Sequence, residues 1–120
     1  MYYIKIVGDE MLKMDLEYER GILFIRLEGN LIRKNNYKIN NYIIPILNKH
    51  KIKYVIYNLK NLKSIDESGI DSILNTKCIV KKNKGKIFLC EVNELISYKL
   101  KRLKVKITSS EKTALKIIEV

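Results

Sequence analysis

Tryptophan is absent from this 120-residue chain, and histidine and proline occur once each, as His50 and Pro45. Its two cysteines, Cys78 and Cys90, cannot build a disulfide framework, and with one histidine they cannot complete a four-ligand zinc site. No serine nucleophile and acid are arranged around His50 in the sequence, so hydrolase chemistry is not expected. The chain is read as a non-enzyme that needs no cofactor or metal. Both cysteines are expected to behave as small buried hydrophobes. No apolar run approaches the ~20 residues of a membrane span. Residues 1–10 lack the basic start, apolar stretch and small-residue cleavage site of a signal peptide. A cytoplasmic, reducing setting is therefore expected. Linkers, repeats and low-complexity tracts are also missing, so residues 1–120 read as one domain, with 1–10 a candidate extra N-terminal strand. The apolar share of 47% excludes wholesale disorder.

Positive charge is abundant: 24 basic residues stand against 13 acidic ones, a net charge of +11. One cluster is Lys77, Lys81, Lys82, Lys84 and Lys86; a second is Lys99, Lys101, Arg102, Lys104 and Lys106. Such a balance suits a polyanion or a membrane surface. Against that, arginine, the preferred reader of phosphates and guanine edges, is confined to Arg20, Arg26, Arg33 and Arg102. The rest is lysine in a chain crowded with isoleucine and asparagine, the trio that an AT-rich genome encodes. No zinc-finger spacing, RNP-like aromatic motif or glycine-rich phosphate loop appears. Neither direct nucleic-acid binding nor membrane binding is expected, although the field still steers encounters.

Hydropathy patterning predicts an α/β domain. Tyr2–Val7 is a short β-prone run closed by Gly8-Asp9, a turn pair. Met11–Tyr18 alternates with strand period, Glu19-Arg20-Gly21 reads as a turn, and Ile22–Glu28 as a buried strand, making a hairpin. Ile39, Ile43 and Leu47 share one face of a helix expected over 35–50, with Asn35 and Asn36 as cap candidates and Pro45 in conflict. Tyr54–Leu59 has the β-branched and aromatic content of a central strand. A helix is expected over 66–84, ended by Gly85 as its C-terminal glycine. Lys86–Cys90 follows as a strand, 93–103 as a helix, Val105–Ile107 as a short strand, and a last helix capped by Ser109 or Ser110. Strands alternating with helices after an N-terminal hairpin imply a mixed sheet with right-handed crossovers.

The loop joining the best strand to the best helix, Lys63-Ser64-Ile65-Asp66-Glu67-Ser68-Gly69-Ile70, concentrates polar chemistry where open α/β sheets gather ligands. Asp66 is a natural N-cap and places Ser68 in the first turn, beside unpaired N–H groups and the positive helix end. A phosphate there would meet a favourable field and add ~1.5–2 negative charges. Gly69 offers no side chain, which would let a partner's backbone approach the hydroxyl. Taken alone, the same residues fit a plain helix cap.

From Gly21 to about Glu91 the chain resembles the STAS domain, specifically bacterial anti-sigma factor antagonists. The resemblance is carried by Ile22–Leu31, by Val55-Ile56-Tyr57-Asn58-Leu59-Lys60-Asn61-Leu62, and by Ile65-Asp66-Glu67-Ser68-Gly69-Ile70, with Lys84-Gly85 before the next strand. These blocks match a strand ending Gly-Glu-Leu-Asp, a strand with Asn-Leu, and Asp-Ser-Ser-Gly-Leu, in order. The C-terminal third matches loosely, through Cys90, Ser110-Glu111 and Ala114-Leu115. The resemblance implies a STAS-like α/β domain in which Ser68 takes the place of the phosphorylated serine. It implies an anti-sigma factor with serine-kinase activity as partner, a metal-dependent serine phosphatase as the enzyme that resets it, and regulation of sigma-factor-dependent transcription. Asn30, Ile32, Asp66, Glu67, Ser68, Gly69, Ile70 and Asp71 are the implied partner-binding positions.

Four residues depart from the pattern. Glu67 replaces the first serine, Asn30 and Ile32 replace the glutamate and aspartate of Gly-Glu-Leu-Asp, and Asp71 replaces a small residue. Glu67 and Asp71 bring charge to a docking face. These departures motivate an alternative: a non-switching STAS binding module, such as a small subunit of a lipid-transport or other signalling complex, in which Ser68 is only a cap. A basic nucleic-acid-binding protein is the third class. Monomer and homodimer both remain open.

Overall fold

The computed structural model describes residues 2–9 and 11–119. Its centre is a six-stranded sheet in which sequence order is also spatial order. The strands are β1 (Tyr2–Gly8), β2 (Leu12–Glu19), β3 (Ile22–Leu31), β4 (Tyr54–Ile65), β5 (Lys86–Cys90) and β6 (Lys106–Thr108). β1, β2 and β3 pair antiparallel; β3 through β6 pair parallel. The strand expected within residues 1–10 is β1, paired with β2 in the same chain from Tyr2↔Glu19 to Gly8↔Lys13. Residues 1, 10 and 120 lie outside the described residues.

Local chemistry explains the hairpin. Arg20 and Gly21 carry φ of 54° and 80°, and Glu19 pairs with Ile22, so the connection is a two-residue loop with both φ positive. On β2, Leu12, Met14 and Leu16 are buried while Lys13 is exposed, the strand period. Asp9 closes the preceding turn by accepting the N–H groups of Met11 and Leu12.

Adding parallel strands in one direction through right-handed crossovers puts every connecting helix on one face. That face carries α1 (Ile44–Lys49), α2 (Glu67–Lys82) and a 3₁₀ segment, Ser97–Leu103. Ile39, Leu47, Ile70, Ile73, Leu100 and Leu103 pack there against Leu23, Ile25, Val55 and Leu89. Each such side chain contributes about 1.5–3 kcal/mol by leaving water. The buried Tyr57 phenol bonds the Thr76 hydroxyl of α2 at 2.7 Å. α3 (Glu111–Glu119) covers part of the other face, over Ile22, Phe24, Ile56, Phe88 and Cys90. Its N-terminus is tied down by Glu111, which takes both Nε and Nη2 of Arg26 at 2.8 and 2.9 Å and accepts from Asn58 at 2.9 Å.

Several expectations change in detail. The helix expected over 35–50 is a π-helical turn, Ile39–Ile43, continuing into α1, where Pro45 sits in the first turn and needs no donor. Asn35 and Asn36 cap neither; Asn35 Oδ1 instead accepts the Ile32 N–H at 3.0 Å. The segment expected as a helix over 93–103 is 3₁₀ only from Ser97 to Leu103; ahead of it the Asn93 amide donates to the carbonyls of Leu59 and Leu62. α2 ends at Lys82 with Asn83 as its cap; Lys84, not Gly85, takes the left-handed conformation, with φ of 64°. Gly85 serves a close approach instead, since a Cβ there would overlap the Lys53 carbonyl. Cys90 is buried but Cys78 is exposed.

Candidate functional site

The loop singled out in the sequence lies at the carboxyl end of β4, where the chain turns into α2. Asp66 is the N-cap: its Oδ1 accepts the Gly69 N–H at 2.9 Å. Its other oxygen, Oδ2, accepts the Arg33 N–H at 2.9 Å, so one carboxylate ties the β3–α1 loop to the helix start. Partial burial alone would raise its pKa; the N–H groups of Arg33, Gly69 and Ser68 outweigh that and hold the carboxyl below its ordinary 3.8.

Ser68 is half-buried in the first turn of α2. Its carbonyl is fixed by the Asn36 amide at 3.0 Å and the Ser72 hydroxyl at 3.1 Å. Gly69 and Ile70 point inward. A Cβ on Gly69 would overlap the Leu31 carbonyl and crowd the Ile65 side chain, and Ile70 is 3% exposed. The expectation that Gly69 opens the hydroxyl to a partner's backbone is therefore corrected: its missing side chain lets α2 seat on the end of β3. Ile70 likewise belongs to the core below the loop.

Asn30 and Ile32, on the neighbouring strand end and loop, are half-buried. Asn30 Oδ1 accepts from the Ser64 hydroxyl at 2.7 Å, and its carbonyl accepts from the Asn35 amide at 2.9 Å. Glu67 and Asp71 are exposed on successive turns, and Arg102 bridges them, at 2.6 Å to Glu67 and 3.2 Å to Asp71. Thus the two carboxylates that depart from the family pattern have their own counter-ion. A groove of about 550 Å³ runs beside the loop, between the first turns of α2 and the 3₁₀ segment, with Tyr98, Lys99 and Lys101 on its far side. Lys99 Nζ donates to the Ile65 carbonyl at 3.0 Å, fixing the end of β4.

Sequence reading missed Asn36, Lys99 and Arg102 as parts of this site. Arg102 and Lys99 appear in the sequence only as members of a basic cluster. The fold places them beside a helix start more than thirty positions earlier, and no local pattern signals that. Among the described residues no group of three or more His, Cys, Asp or Glu side chains could hold a metal. No helix among them is long and apolar enough to cross a membrane.

With this geometry in view, comparison with known proteins is decisive on one point: the STAS domain model matches residues 13–114. The chain belongs to the STAS domain family. An anti-sigma F factor antagonist of Paenibacillus polymyxa is 27% identical over 82 residues, which cover 68% of this chain and 70% of that protein. Solved structures that share the fold include two of SpoIIAA. The anti-sigma factor antagonist SpoIIAA in its unphosphorylated form gives a TM-score of 0.72 at 17% identity, covering 98% of both chains. The Bacillus cell fate determinant SpoIIAA in its phosphorylated form gives 0.71 at 16%, covering 97% of this chain and 99% of that one. This STAS chain thus resembles regulatory binding proteins, not enzymes. The mixed sheet and helices after an N-terminal hairpin are the STAS arrangement that the sequence implied.

Proposed function

We propose that this protein is a cytoplasmic anti-sigma factor antagonist, switched by phosphorylation of Ser68. In its unmodified form it binds an anti-sigma factor that has serine-kinase activity and so frees a sigma factor. Phosphorylated on Ser68, it releases that partner, and a serine phosphatase restores it. The observation that carries this reading is the placement of Ser68 itself: half-buried in the first turn of α2, its carbonyl held by Asn36, in a turn capped by Asp66, next to a groove lined by its neighbours Asp66 and Glu67. A neutral hydroxyl in that position can be covered by a partner. A phosphate brings ~1.5–2 negative charges, and against a partner surface without a cation it costs desolvation and repulsion. The nearby Glu67 and Asp71 do not oppose docking with bare charge, because Arg102 pairs with both. Asn30, Ile32, Asp66, Glu67, Ser68 and Asp71 form the docking rim, and Gly69 and Ile70 hold its shape from beneath.

Phosphopeptide mass spectrometry on the protein isolated from its own organism tests this directly. The expected result is a phosphate on Ser68, removable by a serine phosphatase, together with partner binding by Ser68→Ala that Ser68→Asp loses. An unmodified Ser68 across growth and stress conditions, with both variants binding the partner equally, would overturn the switch and favour a non-switching STAS module.

A further inference from the structure

The two basic clusters of the sequence are brought together by the fold. Lys77 and Lys81 of α2, Lys86 at the start of β5, and Lys104 and Lys106 at the start of β6 line one groove of about 320 Å³. It lies at the amino ends of β5 and β6, the opposite end of the sheet from Ser68. Along α2 alone, Ser68 and Lys81 are separated by roughly 20 Å at 1.5 Å per residue.

Three features set this groove apart from a surface that merely carries lysines. First, among the described residues its lysines have no carboxylate partner. The ion pairs among the described residues are elsewhere: Arg26 takes Asp15, Glu17 and Glu111, Lys38 takes Asp9, and Arg102 takes Glu67 and Asp71. Second, the groove is braced. Lys77 Nζ donates to the carbonyls of Leu103 and Lys104 at 3.0 and 3.4 Å, fixing the strand entry, while Lys81, Lys86, Lys104 and Lys106 are exposed around it. Third, its floor is apolar, formed by Ile87 and Val105.

We infer that this groove binds an acidic peptide segment of a partner protein, one that carries an apolar side chain among its carboxylates. Unpaired like charges concentrated in a concavity raise the local potential and draw in the opposite sign. A floor of Ile87 and Val105 rewards an apolar side chain by removing it from water. A nucleic-acid backbone supplies phosphates but no apolar side chain to seat on that floor, so the floor of Ile87 and Val105 favours a peptide. The groove is remote from Ser68, so this contact operates whether or not that serine is modified.

Fluorescence anisotropy with the full chain tests the inference, using a short labelled peptide of Glu and Asp around one Leu. Binding is expected to fall steeply between about 50 and about 300 mM NaCl. The Lys81→Glu/Lys106→Glu double variant is expected to bind at least about tenfold more weakly. The Lys34→Glu/Lys63→Glu variant, which changes net charge equally, is expected to lose less than about twofold. Replacing the peptide's Leu with Ser should also weaken binding several-fold. Amide shifts of Ile87 and Val105 in the unmodified protein locate the site independently of any variant's folding. No peptide binding at low salt, equal losses in both double variants, or tighter binding of generic duplex DNA at the same salt would overturn it.

Discussion

At its start α2 seats on β3 through Gly69, with no room for a Cβ beside the Leu31 carbonyl; just past its end the chain seats through Gly85, with no room beside the Lys53 carbonyl. A polar side chain bridges neighbouring segments at each end as well. Asp66 binds the Arg33 N–H, and the Asn83 amide donates to the carbonyls of Leu47 and Ile52. The packing device is shared, but the charges are handled in opposite ways. At the Ser68 end the acidic residues are answered within the chain by Arg102. At the other end, among the described residues, no carboxylate pairs with the lysines of the groove. Charge paired internally leaves a face whose properties a single phosphate can change; charge left unpaired is available to an outside partner. A net charge of +11 therefore does not describe one uniformly basic surface.

Substituting the two glycines breaks the comparison most directly. Around Gly85 the nearest obstructing atoms are all Lys53 backbone, whereas around Gly69 two of the three belong to the side chains of Ile65 and Leu31. Side chains can yield; a backbone that enters β4 cannot without disturbing its pairing. Gly85→Ala is expected to cost about 3 kcal/mol or more and Gly69→Ala about 1–3 kcal/mol, read from urea unfolding midpoints at constant m. A larger loss for Gly69→Ala would mean that the Ser68 end, not the lysine end, is the rigid one.

Asp66 comes next in size. Asp66→Ala removes a cap and the tie to Arg33 together, for an expected loss of about 1–2 kcal/mol, while Asp66→Asn keeps an oxygen acceptor and loses less. The pH dependence follows from the depressed pKa. Stability from this carboxylate is complete above the unfolded value near 3.8 and is lost as pH falls through the lower folded value. Asp66→Asn should flatten the acid limb of unfolding without changing the neutral plateau by the full cost of Asp66→Ala. Glu111 contributes in the same direction: burial raises its pKa, but its bonds to Arg26 and Asn58 outweigh that and hold it below 4.5. Glu111→Gln should therefore flatten a further part of the limb. An unchanged acid limb in the Asp66→Asn/Glu111→Gln double variant would remove this account.

Where hydropathy and local chemistry agree, the fold was legible in the residues. The alternation of Leu12, Met14 and Leu16, the Arg20-Gly21 turn and the Asp66 cap all form as their chemistry implies. What was hidden is non-local. β4 runs on past Leu59 to Ile65 through Lys60, Asn61, Lys63 and Ser64, because two register shifts let it continue pairing with Glu28, Gly29, Asn30 and Leu31. Nothing polar in that stretch advertises a strand. The roles of Gly69 and Gly85 were misread for the same reason: each depends on a carbonyl contributed by a distant segment. The phospho-acceptor candidate was visible only because Asp66, Ser68 and Gly69 are sequence neighbours. Arg102, the counter-charge of the flanking Glu67 and Asp71; Asn36, which holds the Ser68 carbonyl; and Lys99, which holds the Ile65 carbonyl, arrive through the fold.

Arg102→Ala carries the smallest expected stability effect and the sharpest test of how the Ser68 end is managed. Its guanidinium is half-exposed and its partners Glu67 and Asp71 more so, so solvent screening leaves the pairs less than about 1 kcal/mol of stability. The consequence should appear in docking. With Arg102 gone, two carboxylates flank Ser68 without a counter-ion, and partner affinity should become more dependent on salt while the unfolding midpoint barely moves. The Arg102→Ala/Glu67→Gln/Asp71→Asn variant removes the ion and both charges together and should bring the salt dependence back towards that of the parent protein. A large drop in the midpoint for Arg102→Ala alone would instead make this bridge structural, and the two ends of α2 would then differ less in purpose than in sign.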